Sequence, residues 1–214
     1  HIEGIMGHLY PSSPVHINEF NEKGVWFDYN RFCNPYITDA ILWDFFGEEA
    51  AWVKSNCLQI VDGWVLRLKA PYQSQQKGGK VYAEKKISER VKWGLFDLIS
   101  NVLFFEVEGS DGRLFYPRFG MESLRTFRDL DDFTKNKLRE IYVDYFYRRQ
   151  DDRWYQSGME KLPALKRATN MLICGEDLGM MTHCVTRAMK ELGILSLEVQ
   201  RAPKSDKIEF FHPA

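Results

Sequence analysis

Two adjacent acids, Glu176 and Asp177, hold the richest chemistry in this sequence. They follow the apolar run Met171-Leu172-Ile173-Cys174 and one glycine, Gly175, and precede Leu178-Gly179. A short apolar run bounded by turn residues predicts a strand buried on both faces, or a buried piece of helix of the same length. Val185, Ala188, Met189 and Leu192 then recur at helical spacing, and Gly193 stands where a C-cap glycine belongs. The stretch from Ile194 to Val199 predicts a second buried strand. Strand, helix and strand in succession form a βαβ unit with parallel strands. In such folds reacting groups collect just past the C-terminal strand ends, where Glu176 and Asp177 stand. A carboxyl placed there can give and take a proton in a reaction; a loop acid there can equally cap the next helix. Adjacent side chains leaving a strand point apart, so these two acids do not form a catalytic pair by themselves.

The remaining elements must position that unit. Residues 1–36 read as irregular, because Pro11, Ser12, Ser13, Pro14 and Gly24 break any period. Thr38 to Val53 carries Ile41, Leu42, Phe45 and Phe46 on one helical face, with Thr38 or Asp39 as cap and Gly47 dividing it into one helix or two. Gly63 to Leu68 alternates and predicts a short strand. Gln73 to Lys80, with Gly78-Gly79, reads as a mobile loop, and Lys77, Lys80, Lys85 and Lys86 as a solvated face. Ile87 to Ile99 is helical by its Val91, Leu95, Leu98 and Ile99. Residues 102–119 predict a β-hairpin turning at Gly109-Ser110-Asp111-Gly112. Thr134 to Gly158 predicts one long helix with Leu138, Ile141, Tyr145 and Phe146 buried. Along it Arg148, Arg149 and Gln150 read as surface groups facing Asp151 and Asp152, while Trp154 is either core or a platform for a ring. Pro163 starts or breaks a further short helix.

The chain has 214 residues, 44% hydrophobic and 28% charged, enough for one domain with a sizeable core. Its formal net charge of −1 provides no bulk field to recruit nucleic acid or an anionic membrane. Apolar runs are too short to span a bilayer, and no signal-peptide pattern opens the chain. Aromatic residues reach 14%, and most of them are expected in the core. Cys33, Cys57, Cys174 and Cys184 show neither metal-ligand nor disulfide-framework spacing, so reduced thiols in a cytoplasmic protein and no metal site are expected. His183 and Cys184, as helix neighbours, diverge by about 100° and make no thiol–imidazole pair. Nucleotide, serine-hydrolase and zinc-protease motifs do not occur.

The words Cys174-Gly175-Glu176-Asp177-Leu178-Gly179 resemble the acid/base motif of the amylomaltases, the 4-α-glucanotransferases of glycoside hydrolase family 77. Asp144-Tyr145-Phe146-Tyr147-Arg148-Arg149-Gln150 with Trp154, Lys161-Leu162-Pro163-Ala164-Leu165, and Glu191 through Arg201 are similar to the long, plant-cytosolic and bacterial form of that family. Gly4-Ile5-Met6-Gly7-His8 and Phe27 through Cys33 resemble it as well.

The resemblance implies an α/β fold: part of a (β/α)8 barrel around strands 5 and 6, with a mostly helical insertion and a small β-hairpin. Residues 1–165 would be the insertion after barrel strand 4, and residues 166–214 the barrel segment. It implies transfer of α-1,4-glucosyl units between malto-oligosaccharides or a glucan, with retention and without metal or organic cofactor. Glu176 would be the acid/base, its pKa raised by the nucleophile's charge and by partial burial. Asp177, Arg149 and Trp154 would contact substrate, Asp177 otherwise acting as a positioning or capping group. The family uses three catalytic carboxylates. The nucleophile's Arg-Ile-Asp-His phrase and the stabiliser's Thr-His-Asp phrase do not occur here. The chain therefore reads as an internal fragment, inactive by itself, with the nucleophile expected before His1 and the stabiliser after Ala214. Thr182-His183 and Ala202-Pro203 depart from the family's usual phrases and bear on the loop beside Glu176. A noncatalytic carbohydrate-binding or interaction module is the alternative, and a helical scaffold without ligand a third reading. Oligomeric state and acceptor preference are not legible.

Overall fold

The structure, a computed structural model, describes residues 12–84, 87–177 and 182–199, with Lys80, Ala83 and Glu84 described by their backbone alone. The expectations for Gly4 to His8, for Lys85 and Lys86, for Leu178-Gly179 and for Ala202-Pro203 lie outside the described residues. Two compact units emerge, one on residues 14–142 and one on residues 143–199 with Ser12 and Ser13.

The first unit opens with β1 (Val15–His16) and α1 (Ile17–Glu22), where irregular chain was expected. Reciprocal capping makes the difference. His16 Nδ1 accepts from the Asn18 N–H at 3.1 Å, and Glu19 Oε1 accepts from the His16 N–H at 2.8 Å. Asp28 caps α2 (Tyr29–Phe32). Thr38 Oγ1 accepts from the Ile41 N–H at 3.2 Å and starts α3 (Asp39–Phe46), which ends at Gly47. After a 3-10 turn, α4 (Ala50–Cys57) follows, so Gly47 divides the segment into two helices. β2 (Leu58–Val61) and β3 (Val65–Leu68) pair antiparallel. Next come α5 (Gln75–Glu84) and α6 (Glu89–Ser100), whose first turn is capped by Ser88. The expected loop at Gln73 to Lys80 is thus mostly helix. Tyr82 supplies the reason: its buried ring stacks on Tyr72 at 6.2 Å, and the absence of a side chain at Gly78 makes room for it. That packing outweighs the low helix propensity of two glycines, about 1 kcal/mol each.

β4 (Phe104–Glu106) and β5 (Leu114–Pro117) form the expected hairpin, and β1 adds to β5 with Val15 opposite Phe115. The sheet order is β1-β5-β4. Phe20, Phe27, Phe32, Phe104 and Phe115 pack ring against ring beneath it, at centroid distances of 4.4 to 6.4 Å. A second core gathers Ile41, Leu42 and Phe46 of α3 with Val91, Leu95 and Leu98 of α6. α7 (Arg125–Arg128) then leads to α8 (Asp132–Tyr147), in which Leu138, Ile141, Tyr145 and Phe146 are buried, as the apolar period requires.

Residues 134–158 do not form one helix, however. α8 ends at Tyr147 and α9 (Asp151–Arg167) begins anew, with Pro163 inside it rather than at its boundary. The break has two local causes. The Arg148 and Arg149 N–H groups both turn back to the Asp144 carbonyl, at 3.1 and 2.9 Å. Gln150 is fully buried, accepting from the Ser13 N–H at 2.8 Å and donating to the Ser13 carbonyl at 3.2 Å. A buried amide must be satisfied, and here a remote backbone satisfies it. β6 (Cys174–Gly175), α10 (His183–Leu192) and β7 (Leu195–Ser196) complete the second unit. The described residues form three small sheets and no closed barrel.

Two helical glycines separate propensity from packing. A Cβ at Gly94 of α6 would stand 2.5 Å from Phe46 Cε1, whereas one at Gly79 of α5 would meet nothing within 4 Å. Gly94→Ala is expected to destabilise by about 1–2 kcal/mol, because the overlap with a buried ring exceeds the propensity gain. Gly79→Ala is expected to stabilise by up to about 1 kcal/mol. Urea unfolding of both variants checks the pair, and equal signs would refute the packing argument.

Candidate active site

β6 and β7 run parallel, with Cys174 opposite Leu195 and Gly175 opposite Ser196. The Leu195 N–H donates to the Ile173 carbonyl at 3.0 Å. α10 joins them, and Gly193 closes it in the left-handed conformation at φ 62°, which a glycine adopts without strain. This is the expected βαβ unit. A Cβ at Gly175 would lie 3.1 Å from Met189 Cε, so the glycine permits the close seat of α10 on β6.

α10 is held on α9 at both ends. Its cap residue Thr182 makes no capping bond; instead Asp151 Oδ1, from the start of α9, accepts from the Cys184 N–H at 3.3 Å. At the other end Lys166 Nζ donates to the Leu192 carbonyl. Between them Tyr155 donates to Glu191, Arg187 Nε pairs with Glu191 Oε1 at 3.0 Å, and the Arg187 guanidinium lies 3.9 Å from the Tyr155 ring centre. The Tyr155 hydroxyl, then Arg187, holds the Glu191 carboxyl below its usual range. Burial pushes the Cys184 thiol up, which suits an inert packing role.

Glu176 follows directly on the C-terminal end of β6 and is exposed, so the partial burial expected for it is not met. Asp177 turns the other way and is only 8% exposed. It accepts from the Leu197 N–H at 3.0 Å and from Ser196 Oγ at 2.9 Å, fastening the end of β6 to the end of β7. Ser196 Oγ also stands 3.0 Å from Glu198 Oε1. A hydroxyl has one proton, so Asp177 and Glu198 compete for it. Asp177, Ser196 and Glu198 line a cleft of about 410 Å3 together with Thr186, Met189 and Lys190; Glu176 is not among its lining residues.

Strand burial departs from expectation. Met171 and Leu172 are 77% and 71% exposed, Cys174 is exposed, and Leu195, Leu197 and Val199 are exposed as well. Among the described residues β6 pairs only with β7, and α10 covers one side of the pair. An apolar run signals what a strand is able to bury, not how many neighbours it has.

Arg149 stands at the turn from α8 to α9 and Trp154 in the first turn of α9, and neither lines the Asp177 cleft. Arg149 Nε pairs with Asp144 Oδ2 at 2.6 Å rather than with Asp151 or Asp152. Trp154 is half-buried, its backbone N–H donating to the Gln150 carbonyl at 2.9 Å in the first turn of α9. Sequence reasoning missed Ser196 and Glu198. Ser196 ends β7 and Glu198 lies two residues on, a spacing that in extended chain puts both on one side, and that period was the available signal. Among the described residues no group of His, Cys, Asp and Glu side chains is arranged to hold a metal ion, and no helix is long and apolar enough to cross a membrane.

A family model described as 4-alpha-glucanotransferase matches residues 42–214. The chain is 34% identical over 221 residues to 4-alpha-glucanotransferase DPE2 of Oryza sativa subsp. japonica. The match takes in 99% of this chain and 23% of that relative, so the chain spans about a quarter of the relative's length. No solved structure matches.

The Asp177 anchor is open to direct test. Asp177→Ala would leave the Leu197 N–H without its acceptor and the Ser196 hydroxyl to Glu198, at a cost of about 1–3 kcal/mol. Asp177→Asn keeps one acceptor oxygen and should lose less. Amide hydrogen exchange at Leu197 is the readout: faster exchange in Asp177→Ala than in Asp177→Asn is expected, and unchanged exchange in both would show that the carboxylate anchors nothing.

Proposed function

The chain belongs to the 4-alpha-glucanotransferase family, and from that premise we propose that it supplies the acid/base segment of a retaining enzyme acting on α-1,4-glucans. The observation that carries the reading is the position of Glu176, immediately past the C-terminal end of a parallel strand whose end is pinned by Asp177. Retaining transfer proceeds in two steps and requires two carboxyl groups about 5 Å apart. In the first, the Glu176 carboxyl gives its proton to the glycosidic oxygen while a nucleophilic carboxylate attacks C1. The C1–O bond breaks, the shortened glucan leaves with the proton, and a glycosyl ester forms. In the second, the Glu176 carboxylate takes the proton of an acceptor sugar hydroxyl, whose oxygen attacks C1 and releases the nucleophile.

Asp177 is a positioning residue in this reading. It spends its carboxylate on Ser196 and Leu197, and so sets the direction in which the backbone presents Glu176. Arg149 and Trp154 enter the proposal as substrate contacts, the former oriented by Asp144. The nucleophile and the stabilising carboxylate belong to the rest of a longer protein, in keeping with a relative of which this chain spans 23%. The parallel β6–β7 pair and its exposed apolar residues support assignment to strands 5 and 6 of a (β/α)8 barrel, with residues 1–165 as the insertion after strand 4. The substrates would be malto-oligosaccharides or a glucan, and the chemistry needs no cofactor. Free thiols at Cys33, Cys57, Cys174 and Cys184 fit a reducing, cytoplasmic setting.

The test uses the full-length protein. With maltotriose as donor and acceptor, Glu176→Gln should lower transfer by about 10²- to 10⁴-fold, the range for loss of a general acid/base. With α-maltosyl fluoride, whose leaving group needs no proton, formation of the glycosyl ester should largely recover, read as a burst of fluoride. Transfer from maltotriose at the parent rate would remove Glu176 from the mechanism. The 214-residue chain alone should yield no new oligosaccharides; turnover by it would place the nucleophile within these residues.

A further inference from the structure

A cleft of about 390 Å3 opens in the first compact unit, where no function has been assigned. Its size falls within the range of small-ligand sites. One wall is the β2–β3 hairpin. Ile60 and Leu66 are cross-strand partners and therefore share one face, and Trp64 follows the tight turn at Asp62 and Gly63, both left-handed at φ 49° and 80°. Trp64 is 82% exposed and Ile60 is 64% exposed, so the hairpin presents a broad apolar patch to solvent instead of spending it on the core. A lone exposed apolar side chain is ordinary, whereas contiguous ones beside a cleft mark a recognition surface.

The rest of the lining is mostly polar, with Arg31, Lys54 and Arg67 beside the carboxylates of Asp28 and Asp39. Arg67, on β3 itself, donates from Nη2 to Asn30 Oδ1 at 2.8 Å, which fixes the guanidinium and leaves further N–H donors on both side chains. Asp28 contributes a carboxylate that also accepts from the Arg31 N–H at 3.1 Å. Lys54 is paired with Asp39 at 2.5 Å, and Arg31 is committed to Thr126 and to the face of Tyr36. Lys54 and Arg31 are thus spoken for by protein partners, whereas Arg67 rests on the neutral Asn30 amide. An aromatic face beside hydrogen-bond donors and acceptors of both signs suits a ring that is apolar on its faces and hydroxylated around its edge.

We propose that this cleft is an α-1,4-glucan-binding site, in which a glucosyl unit stacks on Trp64 and its hydroxyls meet Arg67, Asn30 and Asp28. The proposal rests on the glucanotransferase reading for its choice of sugar. Its function is to hold a chain of the polymer on the insertion, where its grip adds to that of the reacting site by effective concentration.

The experiment is calorimetric titration of the 214-residue chain with maltoheptaose, beside Trp64→Ala, Arg67→Ala and Trp26→Ala. Trp26 is as exposed as Trp64 but lies outside the cleft lining. Circular dichroism and melting curves report that each variant stays folded. Expected is saturable binding, weakened about tenfold or more by Trp64→Ala and by Arg67→Ala, unchanged in Trp26→Ala, with no binding of cellohexaose. Absence of maltoheptaose binding by the unaltered chain at 10 mM ligand, or equal affinity in Trp64→Ala, overturns the proposal. Cellohexaose binding as well as maltoheptaose overturns the α-1,4 assignment. Trp64-dependent binding together with full transfer by the Glu176→Gln enzyme would sink the catalytic reading alone; the reverse pair of results would sink this site alone.

Discussion

Everything proposed for the second unit hangs on one carboxylate. β6 and β7 share two residue pairs, too few to fix a register with conviction. Asp177 adds two bonds beyond the last of those pairs, one to the Leu197 backbone and one to the Ser196 hydroxyl. It is nearly buried and it is charge-assisted, so it outweighs a neutral ladder bond in the same place. The residue before it is thereby directed outward, and that residue is Glu176. Glu176 stands exposed at the strand end while its neighbour is held inward.

A second tier of constraints holds the helix that connects those strands. α10 is clamped on α9 by Asp151 at its start and by Lys166 at its end, with the Tyr155, Arg187 and Glu191 group between. Most of these groups are exposed, and each is worth little alone. Their spacing along the whole helix matters more than any one of them, since rotation or sliding of α10 would break them together. The hairpin of the first unit follows a different plan. There the turn geometry, set by Asp62 and Gly63, projects a tryptophan away from the core.

Local rules reached much of this fold. Gly193, the Gly47 interruption, the Thr38 cap and the turn between β4 and β5 are decided within a few residues, and short-range reading finds such features. What it missed depends on remote partners. Gln150 bonds to Ser13, far away in sequence, and so divides a helix whose apolar period is unbroken. Tyr82 on Tyr72 turns a glycine-rich stretch helical. Met171 and Leu172 carry the composition of a buried strand and are exposed among the described residues. Of the candidate site, Glu176 and Asp177 were visible as a motif at a strand end. The partnership of Asp177 with Ser196 was not, because a single serine in an apolar strand announces no partner.

The pairing of β1 with β5 sets a timetable for the growing chain. Val15 meets Phe115, while β4 and β5 need only the short turn between them. Loop closure costs entropy that must be met before a distant contact gives anything back, so the local hairpin leads and β1 follows. On a ribosome adding about 5–20 residues per second, the first strand waits roughly 5–20 s for its partner to be made. Phe20, which is fully buried once β1 is in place, spends that interval without its core. The first unit therefore gains from being shielded while it is born.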